Sequence, residues 1–501
     1  MRVLLINSNR EIYPWPVVPL GLSYIASTLK AHHHSVKFLD LCFPRKPHQV
    51  LRETLTEFQP EAIGISIRNI DNVNMCQPHF YLPEIKEKIV DVCFSYSKAP
   101  VIIGGSAIGM TPEMIMDYFH VDYAVAGDGE EAMVRWLQFL ESEEDEIPAI
   151  RGLFQRQSDG VIKPPEHRNL NAFTSFERPR PFQWIDHHYY EKNGASINIQ
   201  SKRGCVFKCI YCSYNLIEGN QYRLREPGAV VDEIEEWIAV AKPRSFDFVD
   251  STFNSPQSHA IDICEELIRR DIKWSFTTMG LNPGCISPEL LEVMKAAGFE
   301  QCMCSPDSAS PVLLHNLCKN FTLQELVKAA QLFKRFNLRV FWFFILGGPG
   351  ETAETVKETL DFCKTYIPPE DVVHFTIGFR VFPETRLAEI MIEENHQLKN
   401  SDLFRPSFYC SNLITPDEIL AMIHQAARQN LNFISYFDMD IYDGLKYITL
   451  LLNQRNPPDH NWTNVPNVNR NLKKIGLWNL IHKYHRTKFH RSKIIPVNVR
   501  G

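Results

Sequence analysis

The first 145 residues alternate short apolar runs with amphipathic helical patterns. A helix is predicted over residues 20–30. Strands are predicted at residues 2–6, 36–41, 62–67, 101–103 and 123–126. Short apolar runs that alternate with helices are typical of a doubly wound, Rossmann-like α/β domain with a parallel sheet. Ligands of such sheets lie across the carboxyl ends of the strands. We therefore expect a ligand-binding domain over residues 1–145.

A second alternating pattern follows a connecting segment, residues 146–194, which is predicted to hold a hairpin and a proline-rich linker. From residue 195 to about residue 395, strand and helix patterns alternate. The predicted strands are 195–200, 246–250, 274–278, 300–304, 339–346 and 372–380. Such repeats fit a partial (β/α)₆ barrel, whose active site lies at the carboxyl ends of its strands. Residues 396–501 are predicted to form a C-terminal helical region with a basic tail.

Charge and composition narrow the classes of function. The chain has 501 residues and a formal net charge of −6 at pH 7, which argues against a general nucleic-acid binder. It shows no secretion signal at its N-terminus and no apolar run of about 18 residues, so no membrane span is expected. Thirteen cysteines without such a signal favour a reducing cytoplasm.

Three of these cysteines stand close together. Cys205, Cys209 and Cys212 have Cys-x-x-x-Cys-x-x-Cys spacing within the segment RGCVFKCIYCSYN. So compact a loop can bind three irons of a four-iron cluster, which leaves the fourth iron open to a ligand. A zinc site would need a fourth ligand, and no second cysteine pair lies nearby. A disulfide would need an oxidising compartment, and chance placement of buried cysteines is the remaining alternative.

This motif resembles that of the radical S-adenosylmethionine (SAM) enzymes. The resemblance implies a [4Fe-4S] cluster on Cys205, Cys209 and Cys212. It also implies that the open iron binds SAM and that an electron from the cluster releases a 5′-deoxyadenosyl radical. Tyr211 matches the aromatic residue that this family places beside the adenine.

Further SAM contacts are expected at the carboxyl ends of the barrel strands. Asp307 and Ser308 resemble the Glu-Ser pair that the family places near the ribose, with the shorter acid here. Gly347 and Gly348 resemble its glycine-rich SAM segment, although a strand-to-helix turn capped by Thr352 is equally compatible. Two charged residues complete the set. Asp250 closes the second strand, and Arg380 closes the sixth. Arg380 is expected either to contact the SAM carboxylate or a substrate acid, or to form a surface ion pair.

The N-terminal pattern, placed before this motif, resembles the cobalamin-binding domain of cobalamin-dependent radical SAM enzymes. The residues that carry the resemblance, and that it implies contact cobalamin, are Gly21 in Pro-Leu-Gly-Leu, Ser66, Gly104, Gly105, and Gly127 and Glu130 in Gly-Asp-Gly-Glu. In methionine synthase and its relatives, an Asp-x-His-x-x-Gly motif supplies the histidine below cobalt. That motif is absent here, because Pro16 and Val18 stand at its Asp and His positions. Neither can ligate cobalt from below. Arg68 is expected either beneath cobalt or paired with Asp71 or a cobalamin amide.

The resemblance implies three cofactors, namely a [4Fe-4S] cluster, SAM and cobalamin, and an electron donor such as flavodoxin or ferredoxin. The function that it favours is methylation of an unactivated carbon or a phosphinate in a small-molecule, lipid or peptide substrate. Three alternatives remain open. They are a cyclase or rearrangement enzyme that uses the same cofactors, a methylthiotransferase with a second cluster near Cys42, Cys76 and Cys93, and a non-catalytic cobalamin sensor.

Overall fold

The computed structural model describes residues 1–12, 15–142, 144, 146–165, 181–435, 465–474, 476 and 477. Most of the basic tail predicted beyond Arg470 lies outside these residues. No helix in the described part is long and apolar enough to span a bilayer. All thirteen cysteines are described, and none forms a disulfide.

The N-terminal unit is built on a sheet of seven strands. The strands are β1 Arg2–Asn7, β2 Ser35–Asp40, β3 Ala62–Ser66, β4 Val101–Gly104, β5 Tyr123–Val125, β6 Leu153–Arg156 and β7 Ile162–Lys163. Their order is β2-β1-β3-β4-β5-β6-β7. The first five strands are parallel, whereas β6 and β7 are antiparallel. The predicted hairpin therefore extends the N-terminal sheet beyond residue 145, so its assignment to the linker is wrong.

Helices cover both faces of this sheet, as the alternation of its strands requires. The helices are α1 Leu20–Ala31, α2 Pro47–Phe58, α3 Leu82–Ile85, α4 Asp91–Tyr96, α5 Ser106–Met110, α6 Pro112–Phe119 and α7 Glu130–Glu141, with a π-helical turn at Lys86–Val90. Successive residues of a strand point to opposite faces. Val3 and Leu5 of β1 accordingly pack with the face that holds α1 and α7, and Leu4 and Ile6 pack with the opposite core. Both cores exclude water, which confirms the doubly wound arrangement.

The second unit is an open parallel barrel. Its strands are β8 Ile197–Ile199, β11 Ser245–Phe248, β12 Ser275–Thr278, β13 Gln301–Asp307, β14 Arg339–Leu346, β15 Val372–Ile377 and β18 Phe433–Ser435. The order is β8-β11-β12 and β13-β14-β15-β18, joined by bridges between β12 and the β13 side. The six predicted strands are present. The seventh, β18, comes from the region predicted to be helical, so that region is only partly helical.

Short pairs of strands lie outside the barrel wall. They are β9 Lys202–Arg203 with β10 Arg223–Leu224, and β16 Phe379–Arg380 with β17 Phe408–Tyr409. The predicted sixth strand thus breaks after Ile377, where Gly378 has a φ of 77°.

Helices surround the barrel and follow the connecting segment. They are α8 His187–Lys192, α9 Tyr214–Ile217, α10 Pro227–Val240, α11 Gln257–Arg269, α12 Pro288–Ala297, α13 Pro311–Asn316, α14 Leu323–Arg335, α15 Ala353–Tyr366, α16 Arg386–Glu394 and α17 Pro416–Ala427, and a last helix spans Val465–Lys474. The predicted cap is confirmed, because the Thr352 hydroxyl accepts from the Thr355 amide at 3.3 Å. Apolar residues on the outer faces of the strands, such as Phe246, Phe248 and Trp342, pack beneath these helices.

Candidate active site

The three motif cysteines lie on one loop at the carboxyl end of β8. The β9–β10 pair closes the base of this loop, and Gly204 begins it with a φ of 90°. A Cβ at Gly204 would overlap the carbonyl oxygen of Gln221, so only glycine fits. The amide of Cys205 donates to Gly219 O and that of Cys212 to Cys209 O, both at 3.1 Å. The backbone therefore holds the three sulfurs in one compact turn.

Burial governs the charge of these thiols. It raises the pKa of Cys212 to about 12, and it also raises the pKa of Cys209, which Lys319 partly counteracts. The protein alone thus keeps these two residues as neutral thiols at neutral pH. Because a coordinating metal deprotonates a thiol outright, three buried thiols on one loop suit a metal cluster better than a free nucleophile.

A buried charged group lies beside the cysteines. The Lys319 ammonium donates to Asp307 Oδ2 at 2.7 Å, and the Tyr211 hydroxyl donates to the same oxygen. Burial alone would lower the pKa of Lys319, but Asp307 and Cys209 raise it above its usual value. The side chains of Lys319 and Asp307 are 7% and 3% exposed. Asp307 thus lies next to the cysteine loop, as predicted, with Lys319 as an unforeseen partner.

Asp250 contacts the chain that leads into the cysteine loop, and its predicted SAM contact stays a prediction. Its Oδ1 accepts from the Ser201 amide at 2.8 Å, and its Oδ2 accepts from the Ser201 hydroxyl at 2.5 Å. The Lys202 amide and ammonium lie at 3.1 and 3.8 Å from the carboxylate. Both oxygens are engaged beneath the cysteine loop, so this carboxylate orients the chain that enters the loop.

Ser308 is likewise turned into the protein. Its hydroxyl lies 3.1 Å from the Thr359 hydroxyl and accepts from the Ser310 amide, and the residue is fully buried. The hydroxyl is therefore engaged by protein groups, and the predicted contact between Ser308 and SAM stays a prediction. The hydroxyl fixes the turn between β13 and α13.

The glycine pair at the end of β14 permits close packing of the protein on itself. Gly347 has a φ of 101°, and a Cβ there would lie 2.9 Å from the Cys410 sulfur. A Cβ at Gly348 would lie 3.1 Å from Leu313. The Gly347 amide donates to Glu351 at 3.0 Å. The space beside both glycines is filled by protein, so the strand-to-helix turn explains them better than a SAM contact does.

Ion pairs fasten the cysteine loop to the N-terminal sheet. Arg203 donates to Asp128 at 2.7 Å and to Glu130 at 2.6 Å, and Arg223 donates to Asp128. Burial would raise the pKa of Asp128, but the two guanidinium groups hold it below its usual value. The Glu130 carboxylate binds Arg203 two residues before Cys205, and its predicted contact with cobalamin stays a prediction.

Helix contacts extend the same junction. Gly109 in α5 packs on Ile217 in α9, where a Cβ would lie 2.9 Å from the Ile217 Cα. The helix after β4 and the helix after the cysteine loop are therefore in direct contact. The carboxyl edge of the N-terminal sheet, which the fold predicts to bind a ligand, faces the cysteine motif.

Arg380 forms another link between the two units. It donates to Asp71 at 2.8 Å, and both side chains are 1% exposed. Its remaining nitrogens donate to backbone carbonyls, including that of Leu403 at 3.1 Å. Burial lowers the pKa of Arg380, an effect that Asp71 partly offsets. The ion pair is buried, so the alternative of a surface ion pair is wrong, and the contact of Arg380 with SAM or a substrate acid stays a prediction.

Several predicted cobalamin residues lie along the carboxyl edge of the N-terminal sheet. The residues are Gly21, Ser66, Gly104, Gly105 and Gly127. A Cβ at Gly21 would meet no protein atom within 4 Å, so this backbone is open to a ligand. Gly105 has a φ of 98°, and a Cβ there would lie 2.5 Å from the Ile67 carbonyl oxygen. Ser66 and Gly104 accept backbone hydrogen bonds from Ser8 and Ile67, which shape the turns after β3 and β4.

Arg68 lines a cavity at the carboxyl ends of β1 and β3. The cavity has a volume of 340 Å³, and Ser8, Glu11 and Tyr81 also line it. Burial lowers the pKa of Arg68. In the described chain no carboxylate pairs with Arg68, and Asp71 pairs with Arg380 instead, which removes the predicted Arg68–Asp71 pair. Asn69 accepts from the Arg68 guanidinium at 3.0 Å when its amide is oriented to satisfy both groups.

These observations fit the implied cofactors. Three buried thiols without another described partner suit an iron–sulfur cluster. The open backbone at Gly21, the cavity beside Arg68, and a buried guanidinium that forms no ion pair among the described residues suit a large polar cofactor on the edge of the sheet. The sequence did not predict the ion pairs of Lys319, Asp128 and Arg203. Their partners are distant in sequence, and no local motif marks the pairs.

Comparisons with known proteins agree with this arrangement. Residues 14–137 match the B12 binding domain family and residues 199–363 match the radical SAM superfamily. The chain is 27% identical to an uncharacterized methyltransferase of Pyrococcus horikoshii over 75% of this chain and 79% of the relative. It is 25% identical to tryptophan 2-C-methyltransferase of Streptomyces laurentii over 78% and 74%.

A solved structure shares the complete architecture. The radical SAM methyltransferase TsrM from Kitasatospora setae, with cobalamin and a [4Fe-4S] cluster bound, matches with a TM-score of 0.78 and 21% identity. The match covers 95% of this chain and 99% of that one, so the two proteins have the same fold. With both family domains in the same order and their facing edges in contact, the chain belongs to the cobalamin-dependent radical SAM enzymes.

Proposed function

We propose that the protein is a cobalamin-dependent radical SAM methyltransferase that acts on an unactivated carbon or a phosphinate. The observation that carries the proposal is the junction between the cysteine loop and the carboxyl edge of the cobalamin-type sheet, held by Arg203 with Asp128 and Glu130. Such a junction supports the proposal that two cofactor sites share one compartment. The relatives support methyl transfer, because they include a cytidylyl-2-hydroxyethylphosphonate methyltransferase of Streptomyces wedmorensis at 24% identity.

The chain's own groups have distinct parts in this proposal. Cys205, Cys209 and Cys212 hold the cluster, and the Lys319–Asp307 pair beside them supplies charged groups for SAM. When bound, the three cofactors supply one-electron cleavage of SAM and transfer of its methyl group. Arg68 lies in the cavity at the sheet edge, where its guanidinium would contact a bound cobalamin without ligating its metal, because it has no lone pair to donate. The packed junction limits access of water to the compartment.

Partners and location follow as part of the same proposal. A small-molecule, lipid or peptide substrate enters the barrel, and a flavodoxin or ferredoxin supplies electrons to the cluster. The thirteen unpaired cysteines support a reducing cytoplasm. Residues 1–163 form the cobalamin-binding unit and residues from 195 onward form the barrel unit.

The test is anaerobic reconstitution with cobalamin and SAM carrying a trideuterated methyl group, followed by mass analysis of products from cell extract. We expect a product that gains one trideuteromethyl group in place of hydrogen. Cys205→Ala should abolish SAM cleavage and retain cobalamin, whereas the exposed Cys318→Ala should leave both unchanged. SAM cleavage by Cys205→Ala would contradict the proposal.

Product mass also separates the other candidates. An unlabelled, cyclised or rearranged product would favour the activity named for a relative from Rubrivivax gelatinosus, an anaerobic magnesium-protoporphyrin IX monomethyl ester cyclase at 26% identity. Iron near eight atoms per chain would favour a second cluster, as in methylthiotransferases.

A further inference from the structure

Three polar residues form a row across neighbouring strands of the barrel. Asn198 in β8 pairs in register with Asp247 in β11, and Asp247 pairs with Thr277 in β12. The row lies below the turn at Asp250 that supports the cysteine loop. All three residues are at least nine-tenths buried.

The row faces the interior of the barrel. Phe246, Phe248 and Phe276 lie next to these polar residues in sequence and pack in the core beneath the outer helices. Because successive residues of a strand point to opposite faces, Asp247 and Thr277 point inward. Ile197 and Ile199 pack in the same outer core, so Asn198 also points inward.

Two acceptor atoms in this row have no partner. Oδ1 of Asp247 and Oδ1 of Asn198 are buried and accept no hydrogen bond within the described chain. The nearest acid, Asp250, is occupied by Ser201 and Lys202. Burial, together with the charge of Asp250, raises the pKa of Asp247 to about 8. Unpaired buried acceptors are rare in folded proteins and destabilise them, which indicates a donor that binds there.

Other strands give the barrel interior an apolar wall. Met303, Phe341 and Val372 pack together, and Phe343 lies against Phe341 with ring centroids 4.5 Å apart. Phe343, in the middle of β14, is half-buried, and Met279, directly after β12, is 38% exposed. The inward faces of the strands therefore carry a buried polar row on one side and aromatic side chains on the other.

We propose that Asp247 and Asn198 bind the ammonium group of an amine substrate whose apolar body lies against Phe341 and Phe343. An ammonium offers three N–H donors, enough to serve both unpaired acceptors, whereas a hydroxyl offers one donor. The positive charge of a bound ammonium would also favour the ionised form of Asp247. A carboxylate substrate group offers no donor to these acceptors. The inference rests on the proposed function, because it names the substrate class for that site.

The test measures binding to the reconstituted holoenzyme, with phenethylamine as the probe and 3-phenylpropionate as a ligand of similar size and opposite charge. Isothermal titration should show phenethylamine binding to the wild type. Asp247→Asn should weaken that binding by about tenfold or more. The exposed residue Asp262 provides the control, and Asp262→Asn should bind phenethylamine as the wild type does.

A second variant distinguishes the loss of a ligand contact from misfolding of the first variant. Asn198→Leu removes the other acceptor at similar volume and should also weaken phenethylamine binding. Equal affinity of the wild type and both variants for phenethylamine would overturn the inference, as would a preference of the wild type for 3-phenylpropionate. Binding requires no turnover, so the result can be read even if no methylated product forms. A labelled product without an N–H group would overturn the inference alone and leave the proposed methyl transfer intact.

Discussion

The Lys319–Asp307 pair shows what a single buried charge contributes beside the cysteine loop. Lys319→Met leaves the Asp307 carboxylate buried without its cation, which should lower the free energy of unfolding by about 3–5 kcal/mol. The double variant Lys319→Met/Asp307→Asn should recover most of this loss, because it leaves no unpaired charge. Anaerobic denaturant unfolding of the four proteins measures the coupling. A double variant no more stable than Lys319→Met would contradict this account.

The Asp247 carboxyl predicts a dependence of stability on pH. Its pKa is raised to about 8 in the folded protein, so the folded state keeps a proton that the unfolded chain releases at lower pH. Stability is therefore lost as the pH rises toward 8. Between pH 6 and pH 8, the free energy of unfolding of Asp247→Asn should rise by about 2 kcal/mol relative to the wild type. Thermal unfolding of the wild type, Asp247→Asn and the control Asp262→Asn at both pH values measures these free energies. The difference between Asp247→Asn and the wild type should change with pH, whereas the difference between Asp262→Asn and the wild type should not.

Residue types in a local motif were readable from the sequence, whereas partners across the fold were not. The spacing of Cys205, Cys209 and Cys212 identifies the loop, and the cap at Thr352 follows from its position before a helical pattern. Arg380 also stands at a predicted strand end. Its partner Asp71 is 309 positions away, so nothing local distinguishes an interdomain pair from a ligand contact.

At the scale of the element, the cysteine loop depends on Gly204. Gly204→Ala would bring a Cβ onto the Gln221 carbonyl, in a backbone conformation with φ of 90° that alanine disfavours. We expect the loop to lose its cluster, with iron per chain below about half of the wild-type value if the turn opens. Iron content and the visible spectrum after anaerobic reconstitution measure this.

Gly160→Ala is the matched control for that change. Gly160 has a φ of 85°, similar to that of Gly204, but a Cβ there meets no atom within 4 Å. The control therefore carries the same backbone strain without the overlap. Equal iron loss in both variants would show that strain alone, and not crowding at the base of the loop, accounts for the effect.

The periodicity of apolar residues predicted most helices and strands. It failed where the pairing of a strand with a distant neighbour decides the structure. The apolar runs gave the strands of both sheets, because their side chains are buried on both faces. The hairpin β6–β7 was assigned to the linker, since a sequence does not say which edge a hairpin joins. β18 is only three residues long, and its burial against β15 is what makes it a strand.

For the whole molecule, the Arg380–Asp71 pair predicts how firmly the two units are joined. Asp71→Asn removes the acid from a fully buried guanidinium and should lower the free energy of unfolding by about 3–5 kcal/mol. Limited proteolysis should also cut the linker faster in this variant. Glu389→Gln removes an exposed partner of Arg386 and should change stability by at most about 1 kcal/mol. A similar loss in both variants would contradict the assigned role of the buried pair.

The ion pairs between Arg203 and the Gly-Asp-Gly-Glu turn have a practical consequence for engineering. The two units of this enzyme cannot be exchanged independently, because β9, which leads into the cysteine loop, forms ion pairs with the N-terminal unit. A chimera with a foreign N-terminal half would need acids at positions 128 and 130, because Arg203 and Arg223 would otherwise be buried without their partners. Grafts should therefore transfer the Gly-Asp-Gly-Glu turn and the cysteine loop together.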